Sequence, residues 1–180
     1  MHKKSIILLF VMLSLVGCNS KIYFTPGVKK QLLIYNQPID QVQFYIDKKI
    51  SLKNQTQKVD SIGNITYYTK IIRLRRNTPG LCINTKDSLM IMQFEKGTTN
   101  NLIFGVKDKP KATDHYKIMA YHWTKLNGVI KYEDLPYNIS IKDAFASLKI
   151  KSALLKRLER KEVNVRFVEG LTLDQQNSKK

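Results

Sequence analysis

The chain is 180 residues long, enough for one domain of ordinary size with a real hydrophobic core. Lysine and arginine total 31 against 14 acidic residues, a formal charge of +17, which predicts attraction to anionic material such as phospholipid headgroups, lipopolysaccharide phosphates or an acidic partner. Two cysteines are too few for a disulfide-stapled scaffold, and three histidines with no paired Cys or His spacing give no zinc signature.

Met1-His2-Lys3-Lys4 is a short positive head, and Ile6 to Val16 is almost wholly apolar. Gly17 and Cys18 follow, and Asn19-Ser20-Lys21 stop the run abruptly. This is the layout of an export signal. The apolar run falls short of the roughly 20 residues that a spanning helix needs. The stretch Leu15-Val16-Gly17-Cys18 resembles the lipobox of bacterial lipoproteins, a resemblance confined to the first 18 or so residues. It implies that signal peptide 1–17 is removed by a type II signal peptidase, that the Cys18 thiol carries diacylglycerol, and that the new amino group is acylated too. Asn19, where an aspartate would signal inner-membrane retention, implies the outer membrane. The lack of acidic residues just after Cys18 implies the periplasmic face rather than the cell surface. Losing Lys3 and Lys4 takes the charge from +17 to +15 (17 − 2). With Cys18 lipidated, Cys82 stands alone and no intramolecular disulfide is available. Export separates the chain from cellular nucleic acid, so nucleic acid is not an expected partner.

Residues 18–38 read as anchor, tether and short helix. Thr25-Pro26 predicts a helix start, with Val28, Leu32 and Tyr35 on one face to Tyr35, although Gly27 weakens it. From Ile39 the hydrophobic period becomes two, and residues 39–173 read as one β-rich domain. Val42, Phe44 and Ile46 share a face, and Ile50 and Leu52 continue it after Asp47-Lys48-Lys49. Ser61-Ile62-Gly63-Asn64 is a turn, Asn64 to Arg76 a long or bulged strand, and Pro79-Gly80 a further turn. Short strands follow at Leu81–Asn84, Ser88–Phe94 and Asn101–Val106. Tyr116–Trp123 reads as one longer strand, Asn127-Gly128 as a hairpin turn returning through Val129 to Tyr132. Tyr137–Ile141 and Ala146–Ile150 are further strands. Lys151–Lys161 predicts a short basic helix with Leu154, Leu155 and Leu158 as its apolar stripe. Glu162–Val168 alternates as a final strand, and 174–180 is a polar tail. The expected fold is mainly β, an antiparallel β-sandwich or small barrel with a short N-terminal helix and a short basic C-terminal helix.

Catalytic signatures are missing. There is no G-x-S-x-G and no phosphate-cradling glycine loop. His115 and His122 are seven apart, on opposite faces of a single strand, and adjacent Glu133 and Asp134 diverge. Leu81-Cys82-Ile83 reads as a buried strand with a packed thiol. Tyr67, Tyr68, Tyr116, Tyr121, Trp123, Tyr132 and Tyr137 serve as core and strand-surface packing, or as a stacking surface beside the arginines. Two basic clusters are the candidate contacts to an anionic surface: Arg73, Arg75 and Arg76 near a strand end, and Lys156, Arg157, Arg160 and Lys161, with Lys149 and Lys151, around the helix. An even spread of lysine over a solvated surface is the alternative.

The expected function is that of a membrane-anchored envelope lipoprotein, a non-enzymatic binding or assembly module on the periplasmic side. It uses no cofactor or metal, and its partners are the membrane through Cys18 and an envelope protein or acidic surface. One alternative is a β-barrel carrier for a lipid, with a cavity lined by Phe44, Met90, Met92 and Phe104. Another is an enzyme with residues assembled from distant segments.

Overall fold

The computed structural model describes residues 20–158. The expected signal peptide 1–17, Cys18, Arg160, Lys161, the expected strand 162–168 and the expected tail 174–180 lie outside the described residues. The fold is two antiparallel sheets packed face to face, with no closed barrel. Strand β1 (Lys21–Tyr23) is followed by helix α1 (Pro26–Ile34), a single 3-10 turn (Ile39–Gln41), β2 (Gln43–Ile46), β3 (Ile50–Val59) and β4 (Ile65–Leu74). Then come β5 (Pro79–Lys86), β6 (Leu89–Gln93), β7 (Asn101–Gly105), β8 (Lys117–Ile118), β9 (His122–Trp123), β10 (Asn127–Tyr132) and β11 (Leu135–Ser140). Helix α2 (Ile141–Ala144), β12 (Leu148–Lys151) and helix α3 (Ser152–Leu158) complete the described chain. The larger sheet runs β1-β12-β2-β5-β6-β7-β8 and the smaller β4-β3-β11-β10-β9.

For Val42, Phe44, Ile46, Ile50 and Leu52 the inner face is the one the alternation predicted. Phe44, Ile46, Met90, Met92, Phe104, Leu148 and Ile150 of the larger sheet are fully buried. Ile50, Leu52, Tyr137 and Ile139 of the smaller sheet are equally closed off. Phe44, Met90, Met92 and Phe104 are therefore core residues, and none lines a described cleft. The small-barrel alternative is corrected: the two sheets form a sandwich, with these four side chains packed in its core.

Helix α1 starts as expected. The Thr25 hydroxyl accepts from the Val28 amide at 3.2 Å, and Pro26 occupies the first helical position without losing a needed donor. Gly27, a poor helix former, has a tertiary reason. Its amide donates to Ala112 O at 3.0 Å, and an added Cβ would meet the same oxygen at 3.0 Å. The loop before Tyr116 thus crosses close over the helix start.

Five readings are corrected. Pro79-Gly80 is not a turn but opens β5, paired with Tyr45 and Phe44 of β2, and the reversal lies at Arg75–Thr78. β3 does not continue β2 but belongs to the smaller sheet, and it runs to Val59, pairing with β4 from Ile50↔Leu74 to Val59↔Ile65. Residues 55–59 show no alternation because neither of their faces is buried. Tyr116–Trp123 is not one strand. β8 pairs with β7 in the larger sheet, β9 with β10 in the smaller, and the chain crosses between sheets through Met119-Ala120-Tyr121. Asn127-Gly128 is not the turn but opens β10, with Gly128 opposite Trp123. An added Cβ on Gly128 would meet that indole at 2.7 Å, so the glycine makes room for a ring rather than for a reversal. Residues after Ser140 turn into α2 instead of extending the strand: the Ser140 hydroxyl accepts from the Asp143 amide, and the Asp143 carboxylate accepts from the Ser51 amide at 3.0 Å. The expected basic helix is present as α3 over its described part.

Candidate functional site

Some of the expected basic residues lie near the first strand. Strand β1 forms one edge of the larger sheet, only Asn19 and Ser20 away from Cys18. Its register sets Lys21 beside Lys151 and Tyr23 beside Lys149, all on the outer face, while Ile22 and Ile150 turn inward. The start of α3 is fastened to the same edge. The Ser152 amide donates to Ser20 O at 2.9 Å, its hydroxyl to the same oxygen at 3.0 Å, and the two serine hydroxyls meet. Lys156 and Arg157 in the last turn of α3 face the negative end of the helix dipole.

Lys21 joins the two clusters seen in the sequence. Its ammonium donates to Asn77 Oδ1 at 3.2 Å and lies over the Tyr45 ring at 4.4 Å. Asn77 belongs to the β4–β5 turn that carries Arg75 and Arg76, both exposed. The Lys149 ammonium sits over the Tyr23 ring, again at 4.4 Å, and His115 stacks on that ring at 4.1 Å. Tyrosine faces thus hold two lysines along this edge. Arg73 lies apart, on the exposed outer face of β4 opposite Ser51. Lys21 stands outside both basic clusters legible in the sequence. Its place three positions after Cys18 was a usable signal, but a strand of three residues has too little pattern to stand out.

The other candidates do not converge on chemistry. Among the described residues no three His, Cys, Asp or Glu side chains come together as a metal site. The Cys82 thiol donates to Asn84 O at 3.3 Å, and burial pushes it above the usual thiol range, away from nucleophilic character. Glu133 and Asp134, both at positive φ, form the two-residue β10–β11 turn and point to different partners: Glu133 to Lys70 at 2.5 Å and Tyr137, Asp134 to Lys131 at 2.8 Å. Tyr116, Tyr132 and Tyr137 are buried, and the Tyr132 hydroxyl donates to Glu95 at 2.7 Å, which together with burial drives its ionisation far out of reach. A cleft of about 340 Å³ between Ile118, Trp123, Ile141 and Phe145 holds no titratable side chain. No family model, curated relative or solved structure matches this chain.

The Lys70–Glu133 pair fastens the base of the β3–β4 hairpin to the β10–β11 turn. The hydrogen bond from Lys70, then that from Tyr137, holds Glu133 below the ordinary 4.5, while Glu133 holds Lys70 above 10.5. Glu133 therefore contributes stability above pH 4.5 that is lost as pH falls through its lowered folded value, and Lys70 contributes below pH 10.5 what is lost as pH rises through its raised value. Glu133→Gln should lose less thermal stability than the native chain between neutral pH and pH about 3. Parallel pH profiles of melting temperature would show the pair to be uncoupled from folding.

Proposed function

We propose that this protein is a bacterial outer-membrane lipoprotein, tethered through acylated Cys18 on the periplasmic face, and that it acts as a non-enzymatic binding or assembly module seated by a basic edge on anionic headgroups. One observation carries the reading: Ser20, two residues after Cys18, is hydrogen-bonded to Ser152 at the start of the basic helix. Two extended residues reach about 7 Å. Physiological salt screens charge over about 8 Å. Lipid on Cys18 would therefore hold Lys21, Lys151 and the α3 cations close enough to the headgroups to act, each for about 1 kcal/mol near an anionic surface. The anchor supplies the attachment and the cations supply the orientation, leaving the opposite parts of the sandwich for a partner.

The test is binding of the unlipidated chain to vesicles containing anionic phospholipid. Reversing Lys156→Glu and Arg157→Glu together should weaken binding on the order of tenfold or more, an effect that high salt removes. Binding unchanged by the reversal would leave α3 as scaffold and sink the oriented-edge reading.

A further inference from the structure

The β3–β4 hairpin is an arm. β11 pairs with β3 only at Leu52 and Lys53, and the last ties to the sandwich are Asn54 to Pro136 O and Lys70 to Glu133. Beyond them every residue from 55 to 69 is exposed. A two-stranded ribbon without a packed face is marginal in water. The tip is nevertheless built: the Asp60 carboxylate accepts from the Ile62 and Asn64 amides and the Asn64 side chain, and Gly63 takes φ +86. Among the described residues nothing pairs with the outer edge of β4. That edge has no proline, bulge or charge in residues 65–69, the devices that block strand addition. Its outward face carries Ile65, Tyr67 and Ile71, all more than 40% exposed.

Charge narrows the partner. A quarter of the chain is charged and the total is +17, yet residues 55–69 hold one cation, Lys58, and one anion, Asp60. A neutral, tyrosine-bearing surface suits protein contact and gives nothing to nucleic acid or headgroups. It is also a long surface on which two strongly basic copies can meet without opposing cations.

We infer that β4 pairs with β4 of a second copy, antiparallel across a two-fold axis at Tyr68. In this register Tyr68 faces Tyr68, Tyr67 faces Thr69, Lys70 faces Thr66 and Ile65 faces Ile71. No like charges oppose and both apolar ends are matched, as a self-complementary interface requires. The two five-stranded sheets become one. An axis normal to that sheet leaves both larger sheets, and both β1 strands, on the same side, so two anchors enter one membrane. This last point rests on the proposed anchoring; the pairing does not.

The full chain carrying Tyr68→Cys, oxidised in the envelope, tests it. The two Cβ atoms lie about 5 Å apart in this register, so a disulfide-linked species of twice the mass should form. Lys58→Cys, on the far strand of the arm, should give roughly tenfold less. In the Tyr68→Cys background, adding Ile65→Lys with Ile71→Lys should reduce the product by roughly tenfold, and Ile65→Lys with Ile71→Glu should restore it. All these side chains are exposed, so folding is spared. Equal crosslinking of Tyr68→Cys and Lys58→Cys, or an equal response to the two charge pairs, overturns the register. Absence of product assigns the edge to another segment of the same chain, such as 162–168, and an adduct of another mass to a different protein; either overturns self-pairing.

Discussion

Cys18→Ala is expected to abolish incorporation of labelled fatty acid and to leave the chain as a precursor that keeps residues 1–17. The reasoning runs through Leu15-Val16-Gly17-Cys18: the thiol is the acceptor of the diacylglyceryl group, and cleavage before residue 18 follows that modification in the lipoproteins this motif resembles. The energetic contrast is large. Each buried methylene contributes about 0.8 kcal/mol, a single chain holds only marginally, and two or three hold essentially permanently. Retained electrostatics at Lys21, Lys151, Lys156 and Arg157 would then give only salt-sensitive association, so high salt should strip any correctly exported residue of the variant from membranes. Fatty-acid labelling that survives the substitution, or a mature N-terminus elsewhere than residue 18, would sink the anchor and with it the functional reading.

Phe44→Ala is expected to give the largest loss of stability, about 3–5 kcal/mol, out of a total of roughly 5–15 for a domain. Phe44 is fully buried, packs edge-on against Phe24 at 5.0 Å, and lies between Ile150 on β12 and Gly80 on β5. Neighbouring β-strands cannot collapse far into the space, since their register is pinned by hydrogen bonds on both sides, so a cavity remains. The substitution also loosens the edge that bears the proposed function: Phe24 follows β1 directly and Ile150 precedes Ser152 by two residues. Urea unfolding should therefore show a lower midpoint at an unchanged slope. A shift below about 1 kcal/mol would mean that the site repacks freely.

Particular elements show why the sequence could be read so far and no further. Val42, Phe44, Ile46, Ile50 and Leu52 declared their face because one side of each strand is buried and the other wet, a condition that writes a period of two into the chain. The arm at 55–69 has no such condition: both faces are exposed, and the pattern that marks a strand is erased. Tyr116–Trp123 reads as one strand from its apolar and aromatic content although Lys117 and His122 belong to different sheets, because composition does not report which strand lies alongside. The basic residues were visible singly; that Lys21 reaches Asn77 in the turn of Arg75 and Arg76 was not, since 56 positions separate the two.

By itself the sequence determined the strong basic charge, the β class and the inner face shared by Val42, Phe44, Ile46, Ile50 and Leu52, and it carries the lipobox-like stretch on which the proposed anchor rests. These are local properties: a short apolar run, a composition and a two-residue period. Tertiary structure alone decided which strands are neighbours, that Phe44, Met90, Met92 and Phe104 are packed in the core, that Ser20 is hydrogen-bonded to the start of the basic helix, and that β4 ends a sheet with its outer edge unpaired among the described residues. Those depend on hydrogen bonds and packing between residues far apart in the chain, where long-range pairing chooses among registers that local pattern leaves equal.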